Sequence, residues 1–212
     1  MKIKQTLPLI IILVILGGCQ FSEAQLPETK AFQDEFTREF MDSTEEVKDG
    51  YYLFRSKTDR YTMLFPEDAE IASGAFYERN KDSFENLSFV DYSREENYNY
   101  TYDAMYSSHR KKEVEINLRG LSRRVGYDGG YQEIEEGNTL IYLAKEQEVI
   151  ENEDRKRIVY RFFSYIVPKG GSFGIEYIYS SHCYDETNCK MDPKKEEEKA
   201  LMLMKSVHFN MD

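Results

Sequence analysis

Residues 51–66 read YYLFRSKTDRYTMLFP, two runs rich in aromatic and aliphatic residues on either side of Lys57-Thr58-Asp59-Arg60. In Tyr51–Ser56 and again in Tyr61–Phe65 large apolar side chains recur at every second position, the period of a strand with one face buried. The polar tetrad supplies a turn, and Pro66 closes the second run because it cannot donate to a ladder. The stretch therefore predicts a β-hairpin, and it sets the expectation for the rest of the domain.

Moving outward, the same period marks further strands at 74–79, 85–93 and 97–107, with Asn80-Lys81-Asp82 and Glu95-Glu96 near the turns. Another group follows at 131–136, 139–149, 155–167 and 172–181, joined by Gly137-Asn138 and by Lys169-Gly170-Gly171. Glycine and asparagine tolerate the left-handed conformations that tight turns need, and strands joined by such short turns run antiparallel. Two helices interrupt them. Val114, Leu118, Leu121 and Val125 fall at helical spacing and stop at Gly126, a C-cap residue. The last helix starts at Asp192-Pro193, an N-cap followed by proline in the first turn, and continues through Ala200, Leu201, Met204 and Val207. Helices with one face to bury beside hairpin-linked strands predict an α+β domain built on a predominantly antiparallel sheet, spanning residues 49–212.

Ahead of this domain, Phe32, Phe36 and Phe40 recur at intervals of four, which predicts an amphipathic helix over 31–48 with its rings on one side. Such a helix packs on its own domain or lies on a membrane or partner; Asp34, Glu35, Glu39 and Asp42 on the other side disfavour an anionic bilayer. Residues 19–30 are polar, contain Pro27 and read as a tether. The first 18 residues are a separate unit. Lys2 and Lys4 precede an apolar block from Leu9 to Leu16, then Gly17, Gly18 and Cys19. A basic head, a short apolar core and small residues make a secretory signal, since crossing a bilayer takes about 20 apolar residues.

Leu16-Gly17-Gly18-Cys19 resembles the lipobox of bacterial lipoproteins. The resemblance implies that diacylglycerol is attached to the Cys19 thiol and that cleavage leaves Cys19 as the lipidated first residue. Two acyl chains of the palmitate class hold a protein firmly to a membrane, where one holds it only reversibly. The implied place is the outer, extracytoplasmic face of the cell membrane. The hairpin ending in Leu64-Phe65-Pro66, together with the closing helix and Ser206-Val207-His208-Phe209, is similar to the PsbP-like α/β/α sandwich, which includes small bacterial lipoproteins. That fold hosts unrelated roles, so it implies an architecture and no activity.

The formal charge is −11, and it becomes −13 once Lys2 and Lys4 leave with the signal. So acidic a domain is repelled by phosphate backbones, which excludes nucleic acid as the expected partner. With Cys19 given to lipid, Cys183 and Cys189 remain, and outside the cytoplasm such a pair is expected to form a disulfide. Closing so short a loop stabilises by about 2 kcal/mol on the chain-entropy account. Two other readings stay open there: a zinc site from His182, Cys183, Asp185, Glu186 and Cys189, and a calcium loop from Asp185, Glu186, Asn188 and Asp192. The spacing of the cysteines is long for zinc, and the calcium loop lacks the Asp-x-Asp-x-Asp-Gly order.

No catalytic residue, metal or cofactor is assigned. His109, His182 and His208 stand in no relation to a serine elbow, and glycine loops that cradle phosphate are missing. The remaining candidate is aromatic. In NYNYTYDAMY, residues 97–106, Tyr98, Tyr100, Tyr102 and Tyr106 share one side of a strand. A row of tyrosines stacks on a ligand or covers a half-buried sheet, because each has an apolar body and a polar tip. The expected function is a lipid-anchored, non-catalytic binding or interaction module of the cell envelope, its partner an envelope protein or polymer. The alternative is a small-ligand or polysaccharide binder that uses the four tyrosines, and an enzyme with a carboxylate or metal site is a third.

Overall fold

The computed structural model describes residues 26–72, 76–109, 113–152 and 155–210. The segment expected to be a signal peptide, Cys19 and most of the expected tether lie outside them. The quoted hairpin forms as β1 (Tyr51–Arg55) and β2 (Tyr61–Pro66), paired antiparallel with Phe54 opposite Met63. A third strand, β11 (His208–Phe209), adds to β2 from the other end of the chain. It seats His208, which is exposed, opposite Thr62.

The second sheet is larger. It contains β3 (Glu70–Ile71), β4 (Tyr77–Asn80), β5 (Phe84–Ser93), β6 (Tyr98–Ser107), β7 (Gln132–Glu136), β8 (Thr139–Asn152), β9 (Arg155–Pro168) and β10 (Gly174–His182). Its order is β3-β5-β6-β10-β9-β8-β7, with β4 also on β5, and every pairing is antiparallel. The protein is thus α+β, with two antiparallel sheets and a few helices.

Three layers result. On one face of the large sheet lies α3 (Val114–Val125), ended by Gly126 at φ +77, a conformation that costs glycine little. Its Leu121 is buried with Ala144, Phe163, Tyr165 and Val167. The opposite face meets the hairpin and α4 (Pro193–Lys205), and the main core fills the space between. Asp192 caps α4 by accepting a hydrogen bond from the Lys194 N–H at 2.9 Å, while Ala200, Leu203 and Met204 point inward. The core is unusually aromatic. Phe54 stacks on Phe65, Phe65 meets Phe89, and Phe89 stacks on Tyr102 with ring centroids 4.4 Å apart.

The helix expected over 31–48 is not one helix. It breaks into α1 (Lys30–Gln33) and α2 (Glu35–Arg38), and from Met41 the chain runs as an extended partner of the hairpin. The reason is local competition. Asp34 leaves the helical region, at ψ 119, and its carboxylate accepts the Thr37 N–H at 2.7 Å, starting a new turn instead of continuing the old one. Further on, the Asp42 N–H donates to Leu53 O and the Arg55 N–H to Phe40 O, bonds a continuing helix would forgo. The rings nevertheless share one destination. Phe32 and Phe40 are buried against Tyr52 and Phe54, and Phe36 packs on Phe40 and Tyr77, so the segment covers its own domain.

Candidate functional site

The tyrosine row proves to be half core and half surface. Tyr98, Tyr100, Tyr102 and Tyr106 do share one face of β6, but that face dives under the hairpin as the strand proceeds. Tyr102 and Tyr106 are buried, at 0% and 2% exposure, so they cannot meet a ligand; this corrects the expectation for those two. Tyr98 and Tyr100 stay partly exposed, their rings stacked 4.9 Å apart.

What surrounds them is charged. Asp91 of β5 lies directly opposite Tyr100 in the ladder, and Ser181 of β10 flanks Tyr100 on the other side. From α4, Lys199 places its ammonium 3.5 Å from the centre of the Tyr100 ring and 6.0 Å from that of Tyr102, a cation–π arrangement. One turn earlier, Glu196 is buried and accepts a hydrogen bond from the Tyr179 hydroxyl. Asp91 is only 6% exposed. Among the described residues its Oδ1 has no hydrogen-bond partner. The buried Tyr102 hydroxyl and Ser181 Oγ are likewise without partners there.

Burial governs the protonation of this corner. It pushes the Asp91 carboxyl up from the usual range, against the pull of Lys199 and of the neighbouring Tyr98 hydroxyl. It pushes the Lys199 ammonium down, with Asp91 and Glu196 opposing. The Tyr98 phenol is raised by burial and then by Asp91; that of Tyr100 by burial, then by Glu196 and Asp91. Two carboxylates and one ammonium set into tyrosine rings suit a ligand that brings hydrogen-bond donors, since Asp91 Oδ1 is an acceptor in need of one. The chain arriving from Leu26 passes beside the corner, where Lys30 donates to Tyr92 O at 3.2 Å.

Cys183 and Cys189 are joined as a disulfide, with Cα atoms 5.6 Å apart. Bonded to each other, they offer no thiolate to a metal. The neighbouring carboxylates are occupied as well. Asp185 accepts from the Thr187 N–H, Thr187 Oγ1 and Asn188 Nδ2; Glu186 accepts from the Ile158 N–H; Asp192 caps α4. Burial and the charge of Arg157 push the half-buried His182 imidazole down. No group of three or more histidine, cysteine or acidic side chains placed to hold a metal occurs among the described residues.

Another buried carboxylate escaped the sequence reading. Glu85 is fully buried and accepts four hydrogen bonds, from Ser56 Oγ (2.6 Å), the Lys57 N–H (3.0 Å), the Tyr61 hydroxyl (3.0 Å) and the Tyr77 hydroxyl (3.2 Å). With every donor engaged, it pins the hairpin turn to the large sheet and is closed to a ligand. The signal was parity: Glu85, Leu87, Phe89 and Asp91 occupy one face of β5, so an alternation that buries Leu87 and Phe89 also buries two carboxylates. One is saturated and the other is not.

With this geometry in view, the likenesses to known proteins can be stated. The family profile described as Putative lipoprotein YvcA matches residues 27–208, which include both sheets and the helices between them. The chain belongs to this YvcA lipoprotein family. Its relative from Bacillus subtilis (strain 168), Putative lipoprotein YvcA, is 33% identical over 194 residues, covering 88% of this chain and 79% of the relative. Among solved structures, the Saccharomyces cerevisiae Ran-binding protein Mog1p aligns at a TM-score of 0.45 and 13% identity, over 74% of this chain and 94% of that one. A point mutant of Mog1 aligns at 0.46 and 13%, over 74% and 95%. Among the described residues no helix is long and apolar enough to cross a membrane.

Proposed function

We propose that this family member is a lipid-anchored, non-catalytic binding module on the outer face of the cell membrane, and that it takes its ligand at the Tyr98–Tyr100 corner. The observation that carries the site is Asp91 Oδ1, a buried acceptor without a donor beside two partly exposed rings. Burying an unpaired acceptor costs about 1–3 kcal/mol, a cost that a donor-bearing ligand recovers. The stacked pair Tyr98 and Tyr100 supports a polymer of the envelope whose rings lie flat on them and whose hydroxyls reach Asp91. Membership of a lipoprotein family supports attachment through Cys19. Seven residues of chain from Cys19 to Leu26 reach at most about 25 Å, so the corner works close to the bilayer. Helix α3 on one face of the sheet and α4 on the other support the PsbP-like layering.

Two substitutions test the two halves of this reading. Cys19→Ala should move the protein from the membrane fraction to the soluble one on cell fractionation; continued sedimentation with membranes would refute lipid anchoring there. Tyr98→Ser with Tyr100→Ser should weaken retention on purified peptidoglycan about tenfold, equivalent to about 1.4 kcal/mol for two lost ring contacts, at an unchanged unfolding midpoint. Equal retention by both proteins would remove the corner from ligand binding.

A further inference from the structure

Tyr98 stands at the uneven end of its sheet. The ladder between β6 and β10 stops at Asn99 opposite His182, so Tyr98 has only β5 alongside, through Ser93. A strand end held on one side frays, and a ring that moves with it is poorly placed to stack. On the other side, the place of a strand is taken by the loop that the Cys183–Cys189 disulfide closes.

Both neighbours of Tyr98 in the chain reach into that loop. Asn97, in the turn between β5 and β6, accepts the Asp185 N–H on Oδ1 at 2.7 Å and donates from Nδ2 to Asp185 O at 2.8 Å. A side chain thereby makes the two bonds that a paired strand would make. Asn97 sits at φ +62, a left-handed conformation that asparagine tolerates better than most residues. Asn99 donates to the Tyr184 hydroxyl at 3.0 Å, and the Arg94 guanidinium lies 5.2 Å from the centre of the Tyr184 ring. The loop is itself held firmly. Asp185 accepts from the Thr187 N–H and Asn188 Nδ2, Glu186 Oε1 takes the Ile158 N–H of β9 at 2.8 Å, and the disulfide joins the two ends.

We propose that Asn97 and the Cys183–Cys189 loop are positioning residues for the Tyr98–Tyr100 corner, holding the Tyr98 ring in its stack and coupling the ligand affinity of the corner to the disulfide. The inference rests on that corner being the binding site. A ring already held has little freedom left to lose, whereas ordering one free side chain on binding costs about fivefold in affinity. The coupling is reciprocal. By whatever factor the intact disulfide strengthens binding, the ligand favours the disulfide over the two thiols.

Retention of the detergent-solubilised full chain on purified peptidoglycan gives the first test. Asn97→Gly keeps the left-handed turn, which glycine adopts freely, and removes both bonds to Asp185; it should lower retention about fivefold with the chain fully folded. Cys183→Ala with Cys189→Ala should lower it about as much, and Asn97→Gly carries the test alone if that variant misfolds. The second test is a redox equilibrium in a fixed mixture of reduced and oxidised dithiothreitol. Each reduced molecule supplies two electrons and two protons, turning the protein disulfide into two thiols and itself closing to a cyclic disulfide. Cys189 is partly exposed and open to attack. Excess peptidoglycan should lower the ratio of dithiol to disulfide at 183 and 189 about fivefold, read by thiol alkylation and mass spectrometry, and Tyr98→Ser with Tyr100→Ser should erase that shift. A disulfide that only stabilises the fold shows the same ratio with and without ligand. Wild-type retention by Asn97→Gly, or a ratio that the ligand leaves unmoved, overturns this inference and leaves the corner standing where the tyrosine double variant binds weakly. Full retention by the tyrosine double variant overturns both.

Discussion

Glu85→Ala is expected to destabilise the domain by about 4 kcal/mol in urea denaturation, one of the two largest effects of any single substitution considered. The native carboxylate is fully buried and takes four donors. Alanine would leave the Ser56 and Tyr61 hydroxyls in the core and the Lys57 N–H and Tyr77 hydroxyl at its margin, each without its acceptor. An unsatisfied buried polar group costs about 1–3 kcal/mol, and part of this is relieved by water entering at Lys57 and Tyr77. The loss should reach the hairpin turn first, because Ser56 and Lys57 are held there from β5. A loss below about 1 kcal/mol would mean that Glu85 does not pin the turn.

The second large effect is Tyr102→Ala, at about 4 kcal/mol, the range in which removal of a buried aromatic side chain falls. Tyr102 is 0% exposed, stacked on Phe89 at 4.4 Å and tilted against Tyr179 at 5.3 Å. Its removal opens a cavity where three layers meet, and close-packed neighbours relax only partly into such a space. Tyr98→Ser and Tyr100→Ser, four and two residues earlier on the same face, should leave the unfolding midpoint almost unchanged and alter binding instead. Comparable destabilisation at all three positions would make the whole row core and leave no surface at that corner.

Most of the architecture could be read from the chain. Alternation placed β1, β2, β5, β6 and the β7–β10 group, and the stripe ending at Gly126 placed α3, because a buried face imposes its period on any strand or helix that covers it. The Asp192-Pro193 start of α4 was legible for a local reason, a side chain capping an N–H two residues on. The 31–48 segment was not legible, because four-residue spacing of phenylalanines suits one helix and two broken turns alike. Asp34 and the free edge of the hairpin decided between them. β3 and β11, of two residues each, are too short to show a period and exist only through their partners.

The site was half legible. The sequence alone showed that Leu16-Gly17-Gly18-Cys19 resembles a lipobox, that Cys183 and Cys189 are spaced to meet each other, and that four tyrosines of β6 share one face, since each of these depends on neighbours along the chain. Only the tertiary structure decided which tyrosines see solvent, because burial depends on where the hairpin and α4 come to rest. It alone set Lys199 over Tyr100, a contact between residues 99 positions apart, and left Asp91 with an acceptor unpaired. It alone joined Asn97 to Asp185, 88 positions away, because the loop after β10 meets the turn before β6 only once both strands lie in one sheet.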